Sequence, residues 1–193
     1  MTILTLAGSP SQRSRSSALL RHASRRLEGL GFRTHELGLH DIPAEDLIEG
    51  RYAGAAAAAL RARVHAASAV LIATPVYKAS FAGGLKAVLD LLDEKALIGK
   101  VVLPLATGGS PAHLLALEYS LKPVLSALGA RHILAGVYAT DKEVTFDEDG
   151  HARIDELVRL RLEEGVDRLA EHVRPHAPAV DLGQLALQAR FSV

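Results

Sequence analysis

The stretch 8–17 carries residue types that bind a phosphate group. It follows a short apolar run at 2–7 and contains several serines together with Arg13 and Arg15. Serine hydroxyls donate hydrogen bonds, and arginine carries a permanent positive charge. A helical pattern comes next, so the amide groups of its first turn are expected to face the same anion. No Asp or Glu precedes Glu28, so no acidic side chain in this stretch opposes a phosphate.

The same stretch also fits a simpler structure, which is a serine-capped helix start with surface arginines. It contains neither Gly-Lys-Ser/Thr nor Gly-x-Gly-x-x-Gly. These absences exclude the usual triphosphate loop and the usual dinucleotide loop. A loop lined with hydroxyls suits a terminal phosphomonoester. FMN is the commonest cofactor that ends in one, and it binds at the first strand of an open parallel sheet.

Two further segments suit a ligand site. Residues 74–80 contain Pro75, which restrains the backbone, and Tyr77, which offers a flat surface. Residues 107–111 contain Gly108 and Gly109, which allow the main chain to approach a planar ring closely. Each segment alone also fits an ordinary strand exit or glycine turn. Ligands of doubly wound sheets bind at the carboxyl ends of strands, so we expect all three segments to line one site.

The elements that would position these segments alternate between strand and helix. Strand-like apolar runs occur at 2–7, 69–73 and 101–106, with weaker runs near 33–37 and 132–139, and helical patterns lie between them. This alternation predicts an α/β, flavodoxin-like, doubly wound parallel sheet of five strands in the order 2-1-3-4-5. We expect one domain over 1–173. The tail at 174–193 has no strong pattern and either is disordered or lies on a neighbouring subunit.

Composition excludes several classes of function. The 193 residues include no cysteine, which excludes disulfides, thiolate metal sites and thiol nucleophiles. The 22 basic and 22 acidic side chains cancel, which argues against nucleic-acid binding. No apolar run reaches the ~20 residues of a membrane span, so we expect a cytoplasmic protein.

Two kinds of catalytic site lack their motifs. The nine histidines do not have the spacing of a metal site, so no metal is expected. Gly8-Ser9-Pro10 is not the Gly-x-Ser-x-Gly elbow of a serine hydrolase.

With these motifs, the chain resembles the NADPH-dependent FMN reductase family, and most of all the flavin reductase component of two-component alkanesulfonate monooxygenase systems. The similarity extends over about residues 2–140. The matching stretches are LAGSP at 6–10, SRSS at 14–17, ATPVYK at 73–78, GLK at 84–86, GKVVLPLATGG at 99–109 and AHLLA at 112–116.

The resemblance implies a function and a set of binding residues. A reductase of this kind transfers hydride from NADPH or NADH to FMN and releases reduced FMN to a partner monooxygenase, in desulfonation that supplies sulfur. The residues implied for the FMN phosphate are Ser9, Ser14, Arg15, Ser16 and Ser17. Those implied for the flavin ring are Pro75, Val76, Tyr77, Thr107, Gly108 and Gly109. Hydride transfer between two cofactors depends on positioning, so no catalytic side chain is assigned.

Two alternative functions remain open from the sequence. One is a flavodoxin-type electron carrier, although such carriers resemble acidic proteins that clamp the flavin with aromatic side chains including tryptophan. This chain is neutral and lacks tryptophan. The other is a flavoprotein with fixed FMN that reduces quinones, azo dyes or metal oxyanions such as chromate. The sequence does not distinguish NADPH from NADH.

Two predicted helices indicate a homo-oligomer, either a dimer or a tetramer. The helix at 112–128 has one apolar line along Leu114, Leu117, Leu121, Val124 and Leu128, and a second along Leu115 and Leu125. One line would cover the sheet and the other a partner. Pro123 removes a hydrogen bond to Tyr119, which predicts a kink or wide turn there. In the resembling reductases this tyrosine position lies in a π-type turn at a tetramer interface, whereas a buried core tyrosine is the alternative. A stripe in the helix at 82–92 is a second candidate contact.

Overall fold

A computed structural model describes residues 1–174, so the predicted tail lies outside the described residues except for its first residue. The main sheet is parallel. Its strands are β1 (Thr2–Ala7), β2 (Arg33–Gly38), β3 (Ala69–Tyr77), β5 (Val101–Gly108), β6 (His132–Ile133) and β7 (Val137–Thr140), and the short β4 (Ser80–Phe81) pairs antiparallel with the end of β3. The spatial order is β2-β1-β3-β5, followed by β6 and β7, which lie end to end along the same edge of β5. The predicted five-position order 2-1-3-4-5 is confirmed.

The fifth position of the sheet is split, although a single strand was predicted at 132–139. The interruption lies opposite Pro104, which pairs with Ile72 in the middle of β5. Proline has no N–H to donate to the neighbouring strand. Gly136 lies next to Pro104 at this interruption, where a Cβ added to the glycine would lie 3.2 Å from the Pro104 carbonyl oxygen. The strand break and the glycine together therefore accommodate the proline in the sheet.

Helices cover both faces of the sheet. They are α1 (Arg15–Gly29), α2 (Ala44–Glu49), α3 (Ala55–Ala66), α4 (Gly83–Asp90), α5 (Lys122–Ala127) and α6 (Glu156–Val173). The buried apolar residues form two clusters, one with α1 and α6 and the other with α3, α4 and α5. Such double coverage explains why the central strands are apolar on both sides. Within residues 1–174 we find no helix that is both long and apolar enough to cross a bilayer.

An ion-pair network joins the two helices of the first cluster. Arg26 on α1 donates to both carboxylate oxygens of Asp167 on α6, at 2.7 and 2.6 Å. This hydrogen bonding lowers the pKa of the Asp167 carboxyl. His22 contacts Glu163 at 3.0 Å, and that hydrogen bond likewise lowers the pKa of Glu163. The network therefore favours charged carboxylates between α1 and α6.

The predicted wide turn near Tyr119 is confirmed as a π-helical turn, Leu117–Leu121. The amide of Lys122 donates to the carbonyl of Leu117, five residues back, immediately before Pro123. A proline here cannot donate to the carbonyl of Tyr119, and the wider turn absorbs that loss. Tyr119 is 77% exposed, so the alternative of a buried core tyrosine is wrong.

The π turn also changes the predicted apolar lines, which were wrong in part. The residues that are buried together are Leu117, Leu121, Leu125 and Leu128. Leu114 and Leu115 are exposed instead, and they precede the turn in a short 3-10 helix, Pro111–Leu114, and its cap. The extra residue in the wide turn shifts the register of the helix, so Leu125 rather than Val124 continues the buried line.

The stripe on α4 packs into the chain's own core, not onto a free surface. Leu85, Val88, Leu89 and Leu92 are each at most 3% exposed. These side chains are therefore unavailable to a partner subunit, and the predicted dimer contact through them is wrong.

The segment between β7 and α6 contains a β-hairpin. Its two strands are β8 (Val144–Phe146) and β9 (Ala152–Ile154), which pair antiparallel in a separate small sheet. The hairpin connects β7 to α6 and lies over the segment that precedes α1, with which it shares several contacts. It therefore contacts two arginines, Arg13 and Arg15, near the carboxyl ends of the strands.

Candidate functional site

The three predicted segments meet in one cleft at the carboxyl ends of β1, β3 and β5. The cleft has a volume of about 250 Å³. Nine of the predicted site residues line it, namely Ser9, Ser14, Arg15, Pro75, Val76, Tyr77, Thr107, Gly108 and Gly109. Ser16 and Ser17 do not line it. The cleft is also lined by Ser11, Arg13 and Asp141, of which Asp141 was not anticipated.

Ser16 and Ser17 lie beneath the cleft, where they support Ser14. Ser14 is the N-cap of α1, and its hydroxyl accepts a hydrogen bond from the amide of Ser17 at 3.3 Å. The hydroxyl of Ser16 is 2.9 Å from that of Ser14, and Ser16 is fully buried. The hydroxyl of Ser16 and the amide of Ser17 therefore both contact the capping hydroxyl of Ser14.

The two arginines of the first segment hold the β8–β9 hairpin. Arg13 donates to the carbonyl of Asp147 at 3.2 Å, and its guanidinium lies 4.9 Å from the ring centre of Phe146. Arg15 donates through Nε to the carbonyl of Val144 at 2.9 Å. These bonds orient both guanidinium groups along the wall of the cleft. An arginine held in this way retains N–H groups for a bound anion.

Asp141 brings a negative charge into the serine-rich end of the cleft. Its carboxylate lies 3.7 Å from Nε of Arg15, and both side chains are about half exposed. Its amide donates to the carbonyl of Gly108 at 3.0 Å, which fixes the start of the turn after β7. The sequence has no acidic residue before Glu28, and so gave no sign of a negative charge near the phosphate end of the site. The tertiary structure brings in a carboxylate from residue 141.

The segment at 74–80 is a strand end and a hairpin, so the strand extends beyond the predicted run at 69–73. β3 continues through Pro75 to Tyr77 before it turns into β4. Proline is tolerated because β1 pairs with β3 only as far as Ala73, so Pro75 has a parallel neighbour on one side only, β5. Buried Thr74 stabilises the hairpin because its hydroxyl accepts from the amide of Ala82 at 3.0 Å.

The tip of this hairpin is strained. Lys78 and Ala79 have φ of 50° and 62°, which places both in the left-handed region that glycine or asparagine usually occupies in two-residue hairpins. Each such residue costs about 1–3 kcal/mol, and strain of this kind clusters at ligand sites. The turn leaves Tyr77 51% exposed at the edge of the cleft.

The two glycines after β5 have different surroundings. A Cβ on Gly108 would lie 2.9 Å from the Tyr138 hydroxyl and 3.0 Å from Nδ1 of His113. A Cβ on Gly109 would meet nothing closer than the Asp141 carboxylate, at 3.7 Å. Gly108 is therefore needed for packing beneath the cleft, whereas Gly109 leaves open space within it. The sequence predicted that the main chain at both glycines would approach a ring closely, and the open space at Gly109 suits such an approach.

Two polar side chains pack under Gly108. The Tyr138 hydroxyl donates to the carbonyl of Ser110 at 2.7 Å. Burial raises the pKa of Tyr138, and the nearby carboxylates of Asp141 and Glu143 raise it further. The phenol therefore stays protonated and holds the turn that follows the glycines. Nδ1 of His113 is buried without a hydrogen-bond partner in the described chain.

An acidic group lies at the tip of the β8–β9 hairpin, outside the cleft. Oxygen or nitrogen atoms of Asp147, Asp149 and His151 come within 4.8 Å of one another. The Asp147 carboxylate already accepts from the amide of His151 at 2.8 Å, and Arg153 lies 3.8 Å from it. These contacts are those of a closed hairpin turn, and they already occupy part of the carboxylate.

The donor set of the cleft fits a phosphomonoester attached to a flat ring. Serine hydroxyls, the first-turn amides of α1 and Arg15 lie at one end, where the helix dipole favours an anion. Tyr77 and the open space at Gly109 lie at the other end. A phosphate at the first end and a planar heterocycle at the second match the chemistry of FMN.

Comparisons with known proteins agree with this geometry. The NADPH-dependent FMN reductase family matches residues 1–145. An FMN reductase (NADPH) of Pseudomonas putida KT2440 is 42% identical over 198 aligned positions that cover 100% of both chains. One of Escherichia coli K12 is 51% identical over 144 residues, or 75% of each chain.

A solved structure extends the agreement to three dimensions. The crystal structure of an NADH:FMN oxidoreductase in its apo form has a TM-score of 0.80 to this chain at 32% identity, with 91% of each chain covered. The family match covers three quarters of the chain, and the Pseudomonas putida relative spans all of it. The chain therefore belongs to the NADPH-dependent FMN reductase family and is an NAD(P)H-dependent FMN oxidoreductase.

Proposed function

We propose that this oxidoreductase binds FMN as a substrate and releases reduced FMN to a separate monooxygenase of alkanesulfonate desulfonation. The observation that supports the proposal is that the cleft offers a flavin ring few aromatic contacts. Tyr77 is the one aromatic side chain that lines the cleft in the described chain, and it is 51% exposed. An aromatic contact contributes about 0.5–1.5 kcal/mol beyond its buried area, so a single exposed contact retains a ring weakly.

Within this proposal, each end of the cleft has its own role. The hydroxyls of Ser9 and Ser14 and the guanidinium of Arg15 bind the phosphate, together with the amide of Ser16 at the start of α1. The amide of Ser17 joins them when the phosphate replaces its 3.3 Å contact with the Ser14 hydroxyl. At the other end, Tyr77 and Gly109 contact the ring. Pro75, Val76, Thr107 and Gly108 shape the floor, since they are the ends of β3 and β5.

The flavin supplies the hydride-accepting chemistry, so the protein's task is positioning. The described site contains no side chain that must act as an acid or base. Lys78 follows Tyr77 at the strained tip of the hairpin, and we propose it as a cation that stabilises negative charge on the pyrimidine edge of the ring. If Lys78 instead serves a subunit contact, turnover of Lys78→Met will equal that of the wild type.

The first experiment measures whether flavin leaves the protein. We expect the purified protein to carry little FMN, and the rate of NADPH or NADH oxidation to saturate as FMN is added. A protein that retains FMN, ignores added FMN and turns over faster with quinones or azo dyes would instead have fixed flavin. Retention of FMN without oxidase or dye turnover would indicate an electron carrier.

A matched pair of variants tests the role of Tyr77. Tyr77→Leu is expected to weaken FMN binding about threefold to tenfold, because it removes about 0.5–1.5 kcal/mol of ring contact. Tyr52→Leu is the control, since Tyr52 is similarly exposed, at 49%, and does not line the cleft. Equal FMN affinity in both variants would contradict the proposed ring site.

The partner and the assembly are separate parts of the proposal. Addition of a sulfonate monooxygenase and an alkanesulfonate is expected to yield sulfite only when this reductase, FMN and NAD(P)H are all present.

We also propose a homo-oligomer through the exposed Leu114, Leu115 and Tyr119, since such a cluster of exposed apolar residues marks an interaction surface. Sedimentation of wild type and Tyr119→Ser tests this, and a monomeric wild type would refute it.

A further inference from the structure

We propose that Asp141 is a specificity-determining residue that weakens retention of the flavin phosphate, so that FMN exchanges as a substrate. The inference rests on the proposed function, since it requires FMN to bind in the cleft with its phosphate at the serine-rich end. It concerns the charge balance of that end, which neither the motif at 8–17 nor the family match describes.

The position of Asp141 places its charge where a phosphate must lie. Its carboxylate is 3.7 Å from Nε of Arg15, the cation that lines the same cleft beside Ser9 and Ser14. The other carboxylate oxygen points toward Gly109, because a Cβ built there would lie 3.7 Å from it. Asp141 thus stands between the phosphate end and the ring end of the cleft.

The backbone around Asp141 holds the carboxylate in place. The amide of Asp141 donates to Gly108 at 3.0 Å, and the next turn is closed by Glu143, whose carboxylate accepts from the amide of Thr140 at 2.6 Å. The Glu143 carboxylate also accepts a hydrogen bond from the Thr140 hydroxyl, so its contacts serve to close that turn. Asp141, by contrast, has Arg15 as its partner and lies on the cleft itself. Its charge therefore acts on the ligand instead of closing a turn.

Two effects of this carboxylate oppose a bound phosphate. It pairs with Arg15 in the free protein, so a phosphate must compete for the guanidinium. It also repels the phosphate directly, because both anions would contact one guanidinium and so lie within the screening length of about 8–10 Å. A like charge at such a distance near the surface of a protein changes affinity by about tenfold.

The test compares FMN with riboflavin, which carries the same ring without the phosphate. Dissociation constants are measured from quenching of flavin fluorescence for wild type, Asp141→Asn and the control Glu148→Gln. Asn keeps the shape of Asp and the backbone bond to Gly108. Glu148 is an exposed hairpin residue outside the cleft, and its substitution makes the same change in net charge.

We expect Asp141→Asn to bind FMN about tenfold more tightly than wild type at low ionic strength, with a smaller gain at high salt. Riboflavin affinity is expected to stay within twofold, and Glu148→Gln to match wild type for both ligands. An FMN affinity unchanged by Asp141→Asn overturns this inference alone. Equal tightening for riboflavin also overturns it, since the effect would then not involve the phosphate. A wild type that binds no FMN overturns the proposed function and this inference together.

Discussion

Replacement of Gly108 by alanine should destabilise the fold, because the added methyl group has no room. It would lie 2.9 Å from the Tyr138 hydroxyl, 3.0 Å from Nδ1 of His113 and 3.2 Å from Cβ of Val76. Forcing a methyl group into a packed site costs about 1–3 kcal/mol. Displacement of Tyr138 would also weaken its 2.7 Å bond to Ser110, a loss of about 0.5–1.5 kcal/mol.

An opposing term comes from the unfolded chain. The φ of Gly108 is not in the left-handed region, so alanine reduces the entropy of the unfolded state and favours folding by about 0.4–1 kcal/mol. The net expectation is a loss of about 1–3 kcal/mol in the free energy of unfolding. For a chain of this length, that corresponds to a fall of roughly 2–10 °C in the melting temperature.

The matched control is Gly109→Ala. Its methyl group would have no neighbour closer than 3.7 Å and its φ is not left-handed, so only the unfolded-chain term applies and stability should rise by about 0.4–1 kcal/mol. The same methyl group enters the cleft, and FMN affinity is expected to fall about tenfold. Thermal denaturation without flavin and FMN titration measure the two effects separately. A Gly108→Ala protein that melts with the wild type, or a Gly109→Ala protein that melts well below it, would refute the reasoning.

Three further predictions concern the hairpins and the helix network. Ala79→Gly should raise the melting temperature by about 2–4 °C, because glycine relieves about 1 kcal/mol of left-handed strain; a lower melting temperature would show that the turn is not strained. The pKa of Asp167 is lowered by Arg26, so the stabilisation from this pair is present above the ordinary pKa of Asp and is lost as the pH falls below it. Denaturant unfolding of wild type and Asp167→Asn should therefore differ at pH 7 and converge once the pH falls below the lowered pKa of Asp167 in the folded protein. Arg13→Ala removes a cation–π contact of about 0.5–1 kcal/mol and a hydrogen bond to the β8–β9 hairpin, so limited proteolysis should cut that hairpin faster than in wild type, with Arg63→Ala, at an exposed position of α3, as the control.

The candidate site shows how far local sequence reasoning extends. The serine-rich segment, the Pro75–Tyr77 segment and the two glycines were each recognisable from residue type and from their position after an apolar run. Their convergence followed from one rule, that parallel strands end at the same edge of a sheet. The wide turn near Tyr119 was also predictable, because Pro123 lacks an N–H and must disturb the turn before it.

Other features depend on contacts that are distant in the sequence. The lack of space at Gly108, in contrast to Gly109, depends on Tyr138 and His113, which pack against Gly108. Likewise, the stripe on α4 has the same apolar pattern whether it faces the core or a partner. Only the packing of α4 against the sheet showed that these side chains are buried within the chain.

The sequence by itself determined the fold class, the order of strands, the family and the segments that form the cleft, because these depend on periodicity and on residue types in short stretches. Tertiary structure decided the electrostatics of the site. Arg15 and Asp141 are separated by more than a hundred residues, yet their charged groups lie 3.7 Å apart. Coulomb interactions depend on distance in space, and no local pattern contains that distance.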